Sequence, residues 1–142
     1  MRVCKGRVMA ESGVPKEEIK KFVREDLGCT CPDEVFEAIS VVHDPVEFND
    51  LQKGYLYEIG GKLLVYVVMT HDWSSLIDSL EQFFKRGREM RDAGKFNRFR
   101  LVVVTPNFEP ARQILLRQFD TLFELDEGLH LHVITPDQVP QL

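Results

Sequence analysis

Residues Lys62 to Met69 (KLLVYVVM), with the turn Thr70-His71-Asp72 that follows them, determine how the rest of the chain can fold. Two later segments repeat this pattern, because an apolar run ends at Thr105 or Thr135 and an Asn or Asp follows two residues later. Apolar runs of this kind are typical of parallel strands that are buried on both faces. The threonines lie 35 and 30 residues apart, which suits a strand, a helix and the return to a parallel strand. The sequence therefore predicts three parallel strands whose carboxyl ends share one edge of a sheet.

Length and composition indicate one α/β domain. The 142 residues can bury about two thirds of the unfolded surface without a disulfide or a metal. The longest apolar run, Leu63 to Met69, is far shorter than the roughly 20 residues of a membrane span, and the opening MRVCKGRVMAESG lacks the apolar centre of a signal peptide. Three cysteines, an odd number, fit a reducing compartment better than a disulfide framework. We therefore expect a single cytoplasmic domain over residues 1–142, with no membrane partner.

Apolar spacing and turn residues predict the other elements. A helix from Pro15 should end at Gly28, and a short helix should start at Pro32. Gly60-Gly61 should form a hairpin turn. The predicted strands are 39–43, 55–59, 62–69, 99–105 and 129–135, and the later helices are 72–94 and 109–119. Residues 1–13 are a loose arm or an edge strand, and 47–53 are a loop. The expected core includes Phe22, Val65, Val67, Leu76, Leu80, Val102, Val104, Leu115 and Val133.

These elements predict a three-layer α/β domain with a mixed sheet of about five strands and helices on both faces. An N-terminal antiparallel hairpin precedes the three parallel strands. The order helix, three strands, helix, strand resembles the core of the restriction-endonuclease-like nucleases. That family has an acidic residue on its second strand and an acid-x-Lys pair on its third. Glu58 fills the first place, but Leu63 to Met69 contains neither acid nor lysine, and Lys62 lies at the wrong end. The resemblance therefore implies the fold without the usual nuclease chemistry.

The predicted strand edge is the first candidate site. Open α/β sheets bind ligands outside the carboxyl ends of their strands, where helix N-termini offer free N–H groups to anions. The candidate ligand-binding residues are Thr70, His71, Asp72, Thr105, Asn107 and Thr135, with Asp137 beside them. His71 is the only one of them that can exchange protons near neutral pH. Equally, Thr followed by Asp or Asn is how such strands and helices are ordinarily joined, and no glycine-rich phosphate loop is present.

Cysteines and histidines form two candidate metal sites. Cys29 and Cys31 flank one residue between the first two helices, and Cys4 could add a third sulfur, with His43 as a fourth ligand. The alternative is that these cysteines pack or cap a helix as free thiols. The second candidate is His130-Leu131-His132, which places both imidazoles on one face of a strand. The alternative there is that the pair covers an exposed or edge-strand face.

A basic run over residues 85–100 is the clearest electrostatic feature. Seven basic residues against two acidic ones give this run a charge of +5, so the remainder of a chain whose net charge is −5 carries −10. Arg88, Arg91 and Lys95 should fall on one side of a helix end and could meet phosphate, an acidic partner or a second copy. The alternative is a solvated helix face whose cations suit the C-terminal dipole, and this is favoured over nucleic-acid binding.

The sequence favours a small binding, regulatory or protein-interaction module without a defensible catalytic site. A protein partner or self-association is expected, and a nucleic acid would have to use the 85–100 run. Two alternatives remain. One is a ligand or anion binder, or an enzyme, at His71, Asp72 and Asn107. The other is a thiol or metal function at Cys29 and Cys31, and the sequence leaves any cofactor open.

Overall fold

A computed structural model describes residues 16–28, 32–48, 51–52, 54–123 and 126–139, and these form a five-stranded mixed sheet with helices on both faces. The strands lie side by side in chain order. Neighbours pair antiparallel from the first strand to the third and parallel from the third to the fifth. The strands are β1 (Ile39–His43), β2 (Tyr55–Ile59), β3 (Leu63–Met69), β4 (Arg98–Val104) and β5 (Leu129–Ile134). The mixed sheet and its three parallel C-terminal strands are thus confirmed.

The hairpin between β2 and β3 is the predicted one. Gly60 and Gly61 both have positive φ, 61° and 64°, and glycine adopts that region without steric cost. Two successive residues of this kind give the turn a twist that matches the strands it joins. The hairpin therefore fixes the register of β3, against which β4 then pairs in parallel.

Three α-helices of the described residues cover the sheet. Helix α1 (Lys16–Lys21) lies on one face, which we call the α1 face, and α2 (Ser75–Ala93) and α3 (Phe108–Phe123) lie on the other, the α2 face. Alternation along each strand sends successive side chains to opposite faces, so the sheet has a separate apolar core on each side. All nine core residues expected from the sequence are buried: Phe22, Val65, Val67, Leu76, Leu80, Val102, Val104, Leu115 and Val133.

Helix α1 ends in a way that the sequence does not predict. It continues into a π-helical turn, Phe22–Asp26, in which the Leu27 N–H donates to the Phe22 carbonyl at 3.1 Å. Gly28 then leaves the helix with a φ of 72°, as expected of a glycine in this position. A π turn inserts one extra residue into the helix, and such turns occur frequently at functional sites. The predicted short helix after Pro32 is a 3₁₀ turn, Asp33–Glu37.

Two local predictions need correction. In the stretch predicted as a loop, Phe48 belongs to a 3₁₀ turn, Val46–Phe48, and is fully buried on the ring of Tyr66, with centroids 4.3 Å apart. The helix predicted over 72–94 covers Ser75–Ala93, and Gly94 just beyond it has a φ of −91°, while Lys95 has a positive φ. Residues 1–13 lie outside the described residues. No helix in the described ranges combines the length and the apolar character that crossing a bilayer requires.

Candidate functional site

The carboxyl ends of the parallel strands do share one edge, as predicted. Thr70 follows β3 and Thr105 follows β4, and each hydroxyl accepts a backbone N–H two residues later, from Asp72 at 3.0 Å and from Asn107 at 3.2 Å. The two turns also meet, because the Asn107 amide donates to the His71 carbonyl at 3.4 Å. These bonds join strands to helices, which accounts for the Thr-x-Asp and Thr-x-Asn pattern without a ligand.

The third turn of this edge uses its polar groups in the same way. The Thr135 hydroxyl donates to Asp137, and the Gln138 side chain accepts the Thr135 N–H at 3.0 Å. Gln138 also donates to Asp26 of the π turn, at 3.5 Å. The residues after β5 are therefore tied to the end of α1, and the imidazole of His71 remains exposed at the edge.

Arg91, from the predicted basic patch, forms ion pairs within the fold. Its guanidinium is only 13% exposed and donates to the Asp126 carboxylate at 3.0 Å and to Asp92 at 3.1 Å. Burial would raise the pKa of Asp126, but hydrogen bonds from Arg91 and from the Gly128 backbone outweigh it, so this pKa lies below its ordinary value. Arg91 thus joins the end of α2 to the turn before β5. Arg88 is half-buried and Lys95 is exposed.

Arg100 belongs to the same run in sequence but lies elsewhere in the molecule. It is the third residue of β4, and its side chain points to the same side of the sheet as those of Val102 and Val104. The Arg100 side chain therefore lies on the α1 face, away from α2. It is only 6% exposed. Its Nη1 donates to the Leu27 carbonyl at 3.2 Å and lies 2.8 Å from Nε2 of His132. The sequence prediction of one basic surface run is therefore wrong for this residue.

No carboxylate in the described part of the chain pairs with the Arg100 guanidinium. Its Nε is buried and has no hydrogen-bond partner there. Burial, and then the charge of Arg98, lower the pKa of Arg100 to about 10, so the side chain is still a cation at neutral pH. A buried cation without a counter-charge is costly.

Both histidines of β5 share the α1 face with Arg100, as their spacing predicts, and each is partly covered rather than exposed. Burial, and then the Arg100 charge, lower the pKa of His132 to about 3 and that of His130 to about 4. The Nε2 atom of His130 is buried without a hydrogen-bond partner among the described residues. Both imidazoles are therefore neutral at physiological pH.

The arrangement around His132 suits an arginine rather than a metal ion. A metal would need the Nε2 lone pair that faces Arg100 Nη1. Within the described ranges, no three His, Cys, Asp or Glu side chains are grouped so that they could hold a metal. Cys4, Cys29 and Cys31 lie outside the described residues. Their proposed fourth ligand, His43, is exposed at the end of β1 beside the Tyr55 ring.

All buried side-chain polar atoms that lack a partner in the described ranges lie on the α1 face. They are Tyr55 Oη, Tyr57 Oη, Arg100 Nε and His130 Nε2. Native proteins pair nearly all such atoms, so a concentration of them on one face requires an explanation. The sequence does contain a signal for it, because Arg100 alternates in step with the apolar residues Val102 and Val104.

Glu58, the acidic residue of the nuclease resemblance, is half-buried on β2 and accepts a hydrogen bond from Ser40 at 3.3 Å. On the neighbouring strand β3, the residue that pairs with Glu58 is Leu64. No protein-family model, curated protein or solved structure shows a significant match to this chain.

Proposed function

We propose that this protein is a binding module that holds an oxyanion of a small ligand against Arg100. The observation that carries this proposal is the burial of the Arg100 guanidinium with an unpaired Nε and no carboxylate from the described residues. An uncompensated buried charge costs several kcal/mol, on the order of the cost of breaking a buried ion pair. An anionic ligand would supply a counter-charge that the described residues do not provide and would offset that cost.

The edge of the guanidinium formed by Nε and Nη2 has the donor geometry that an oxyanion matches. Nη1 donates to the Leu27 carbonyl and contacts Nε2 of His132. On the other edge, Nε is buried and has no hydrogen-bond partner among the described residues. Two parallel N–H groups on such an edge match the two oxygens of a carboxylate or phosphate.

The end of helix α1 supports a ligand site at this place. Its π turn finishes at Leu27, whose carbonyl accepts the Arg100 hydrogen bond. π turns are rare and occur frequently at functional sites. The π turn and the buried Arg100 therefore meet at one contact.

Binding is favoured over catalysis by the state of the histidines. With a pKa of about 3, His132 is far too weak a base for proton transfer near neutral pH. A cytoplasmic location and a protein partner or second copy remain proposals from the sequence alone. So does the alternative site at His71, Asp72 and Asn107.

Isothermal titration calorimetry with inorganic phosphate, sulfate and acetate tests the proposal. The wild-type chain should bind at least one of these anions, and Arg100→Met should abolish that binding. Arg88→Met is the matched control on the other face and should bind as wild type does. Arg100→Lys keeps the charge but lacks the forked donors, so its affinity should fall at least about tenfold.

Two results would overturn the proposal. One is the absence of binding of all three anions to the folded wild-type chain. The other is unchanged binding in a folded Arg100→Met or Arg100→Lys variant, with the fold checked by circular dichroism.

A further inference from the structure

We propose that an open cavity between the first two strands and the residues after α2 binds a guanine mononucleotide, with Glu58 holding the base and Lys62 and Lys95 holding the phosphate. This site is separate from the one at Arg100. Glu58 follows Tyr57, which belongs to the core of the α1 face, so the Glu58 side chain points to the α2 face of the sheet. Arg100 lies on the α1 face.

The cavity has a volume of about 310 Å³ and is open to solvent. Sites for small molecules have volumes of about 300–1,000 Å³, so this one has room for a single heterocyclic base. It lies at the end of the sheet where β1 and β3 begin and β2 ends, away from the turns at Thr70 and Thr105. The lining residues are Ala38, Ile39, Ser40, Glu58, Gly61 and Phe96.

Glu58 provides hydrogen-bond acceptors inside the cavity. Its side chain is half-buried, and the Ser40 hydroxyl donates to Oε1 at 3.3 Å. Within the described ranges, no basic side chain forms an ion pair with this carboxylate. A carboxylate accepts hydrogen bonds through both oxygens, and each oxygen has two lone pairs. The ligand group that faces Glu58 must therefore carry N–H or O–H donors.

Phe96 adds an aromatic wall to the cavity. Its side chain is half-buried against the core of the α2 face, and the ring lies so close to Gly94 that a Cβ there would overlap it. The ring is thus held at the end of α2. Bases stack on aromatic side chains of this kind. Glu58 and Phe96 together therefore favour a flat heterocycle with donors along its edge.

Guanine is the base whose edge matches a carboxylate. Its N1–H and its 2-amino group are adjacent donors, and they suit the two oxygens of Glu58. Adenine instead has a bare N1 beside its amino group, and this lone pair would face the carboxylate. A site that hydrogen-bonds a donor of the ligand rejects an analogue without that donor. The cavity should therefore distinguish guanine from adenine.

Two lysines flank the cavity and carry the opposite charge. Lys62 follows the lining residue Gly61, Lys95 precedes the lining residue Phe96, and both lysines are exposed. The two segments lie side by side, because the Asn97 N–H donates to the Lys62 carbonyl at 2.7 Å. Neither lysine forms an ion pair within the described part of the chain. Lysine binds phosphate as a point charge, so acceptors inside and cations outside suit a nucleotide.

Calorimetry at pH 7.5 with GMP, IMP, AMP and guanosine tests the inference. The wild-type chain should bind GMP most tightly and AMP at least about tenfold more weakly. IMP keeps N1–H but lacks the 2-amino group, so its affinity should lie between these two. Guanosine lacks the phosphate and should bind several-fold more weakly than GMP.

Three variants separate the parts of the site. Glu58→Gln offers one acceptor instead of two, so the preference for GMP over AMP should be lost. Phe96→Leu should weaken GMP and AMP alike, by about tenfold, because stacking is lost. Lys62→Gln combined with Lys95→Gln should lower the affinity for GMP to that for guanosine. Lys85→Gln, an exposed lysine elsewhere on α2, is the matched control and should bind GMP as wild type does.

Arg100→Met distinguishes this inference from the proposed function. That variant should lose the binding of small anions but keep the binding of GMP. Loss of GMP binding in a folded Arg100→Met variant would overturn the inference, because it would assign the nucleotide phosphate to Arg100. Equal affinities for GMP and AMP, or an unchanged preference in a folded Glu58→Gln variant, would also overturn it. If GMP does not bind at all, this inference fails, and the proposed function is still decided by the titrations with small anions.

Discussion

Nη1 of Arg100 lies 2.8 Å from Nε2 of His132, and because a guanidinium can only donate, the imidazole must accept. The contact requires a neutral His132 that carries its proton on Nδ1. Protonation of His132 would bring two cations together in a largely covered site. Arg100, His130 and His132 form a polar cluster on the α1 face, and this cluster requires neutral histidines. The stability of the fold should therefore decrease in acid.

We predict that the protein loses stability as the pH falls below about 6.5. The ordinary pKa of histidine is near 6.5, and the folded-state pKa of His132 is about 3. Between these values the unfolded chain takes up a proton and the folded chain does not. The free energy of unfolding is therefore highest above pH 6.5 and falls toward lower pH. At pH 5.0, this residue should cost up to about 2 kcal/mol relative to pH 7.5.

Urea unfolding at pH 7.5 and 5.0 measures this effect. His132→Gln keeps an acceptor for Arg100 but does not titrate, so it should lose up to about 2 kcal/mol less than wild type between the two pH values. His71→Gln, at an exposed site, should lose as much as wild type. Identical losses in all three proteins would contradict the burial of a neutral His132.

The salt bridge between Arg91 and Asp126 should contribute more to stability than the exposed pair of Lys85 and Glu81. The first pair is largely covered, with side chains 13% and 24% exposed, whereas the second is about half exposed, at 48% and 49%. Arg91→Gln should lower the free energy of unfolding by about 1–2 kcal/mol, since hydrogen bonds to a charged group are lost. Lys85→Gln should cost less than about 0.5 kcal/mol. Equal losses in urea unfolding would show that Arg91 has no special structural role.

The architecture could be predicted from the sequence because it depends on repeated local signals. Three apolar runs that end at Thr70, Thr105 and Thr135 determine the parallel strands, and Gly60-Gly61 determines the hairpin. Each signal lies within a few residues, and the distance between successive threonines suffices to infer the crossover.

The polar cluster could not be predicted in the same way, because it depends on residues far apart in the chain. Arg100 meets the carbonyl of Leu27, 73 residues earlier, only once α1 packs on the sheet. A charged residue next to the basic residues of α2 has the same appearance in sequence whether it faces solvent or the core. The one local indication of its burial was that Arg100 alternates in step with the apolar residues Val102 and Val104. The burial of Phe48 within a polar loop has a similar origin, since its stacking partner Tyr66 lies on β3.

The two hairpin glycines should differ sharply in their tolerance of substitution. Both have positive φ, a region that asparagine enters at little cost. A Cβ on Gly61 would meet open space, but a Cβ on Gly60 would overlap the carbonyl and side chain of Val35. We therefore expect Gly61→Asn to change the free energy of unfolding by less than about 0.5 kcal/mol and Gly60→Asn to lower it by about 2 kcal/mol or more. Similar urea midpoints for the two variants would contradict this packing of the 3₁₀ turn against the hairpin.

Gly87 lies within α2, where alanine would ordinarily be favoured by about 1 kcal/mol. A Cβ at this position would overlap the ring of Phe99, which is fully buried. The ring cannot move aside easily, because it packs edge-on against Phe84 at 5.8 Å and stacks with Phe48 at 6.2 Å. Overpacking of this kind costs about 1–3 kcal/mol, so Gly87→Ala should destabilise the protein although it improves helix propensity.

A double-mutant cycle separates the two effects of Gly87→Ala. Phe99→Leu should itself be destabilising because it leaves a cavity. In the Phe99→Leu background, however, the added methyl group meets a smaller side chain, and Gly87→Ala should become neutral or stabilising by up to about 1 kcal/mol. The coupling energy from urea unfolding should therefore exceed about 1 kcal/mol. A stabilising Gly87→Ala in the wild-type background, or a coupling energy near zero, would show that α2 does not approach β4 as closely as this contact requires.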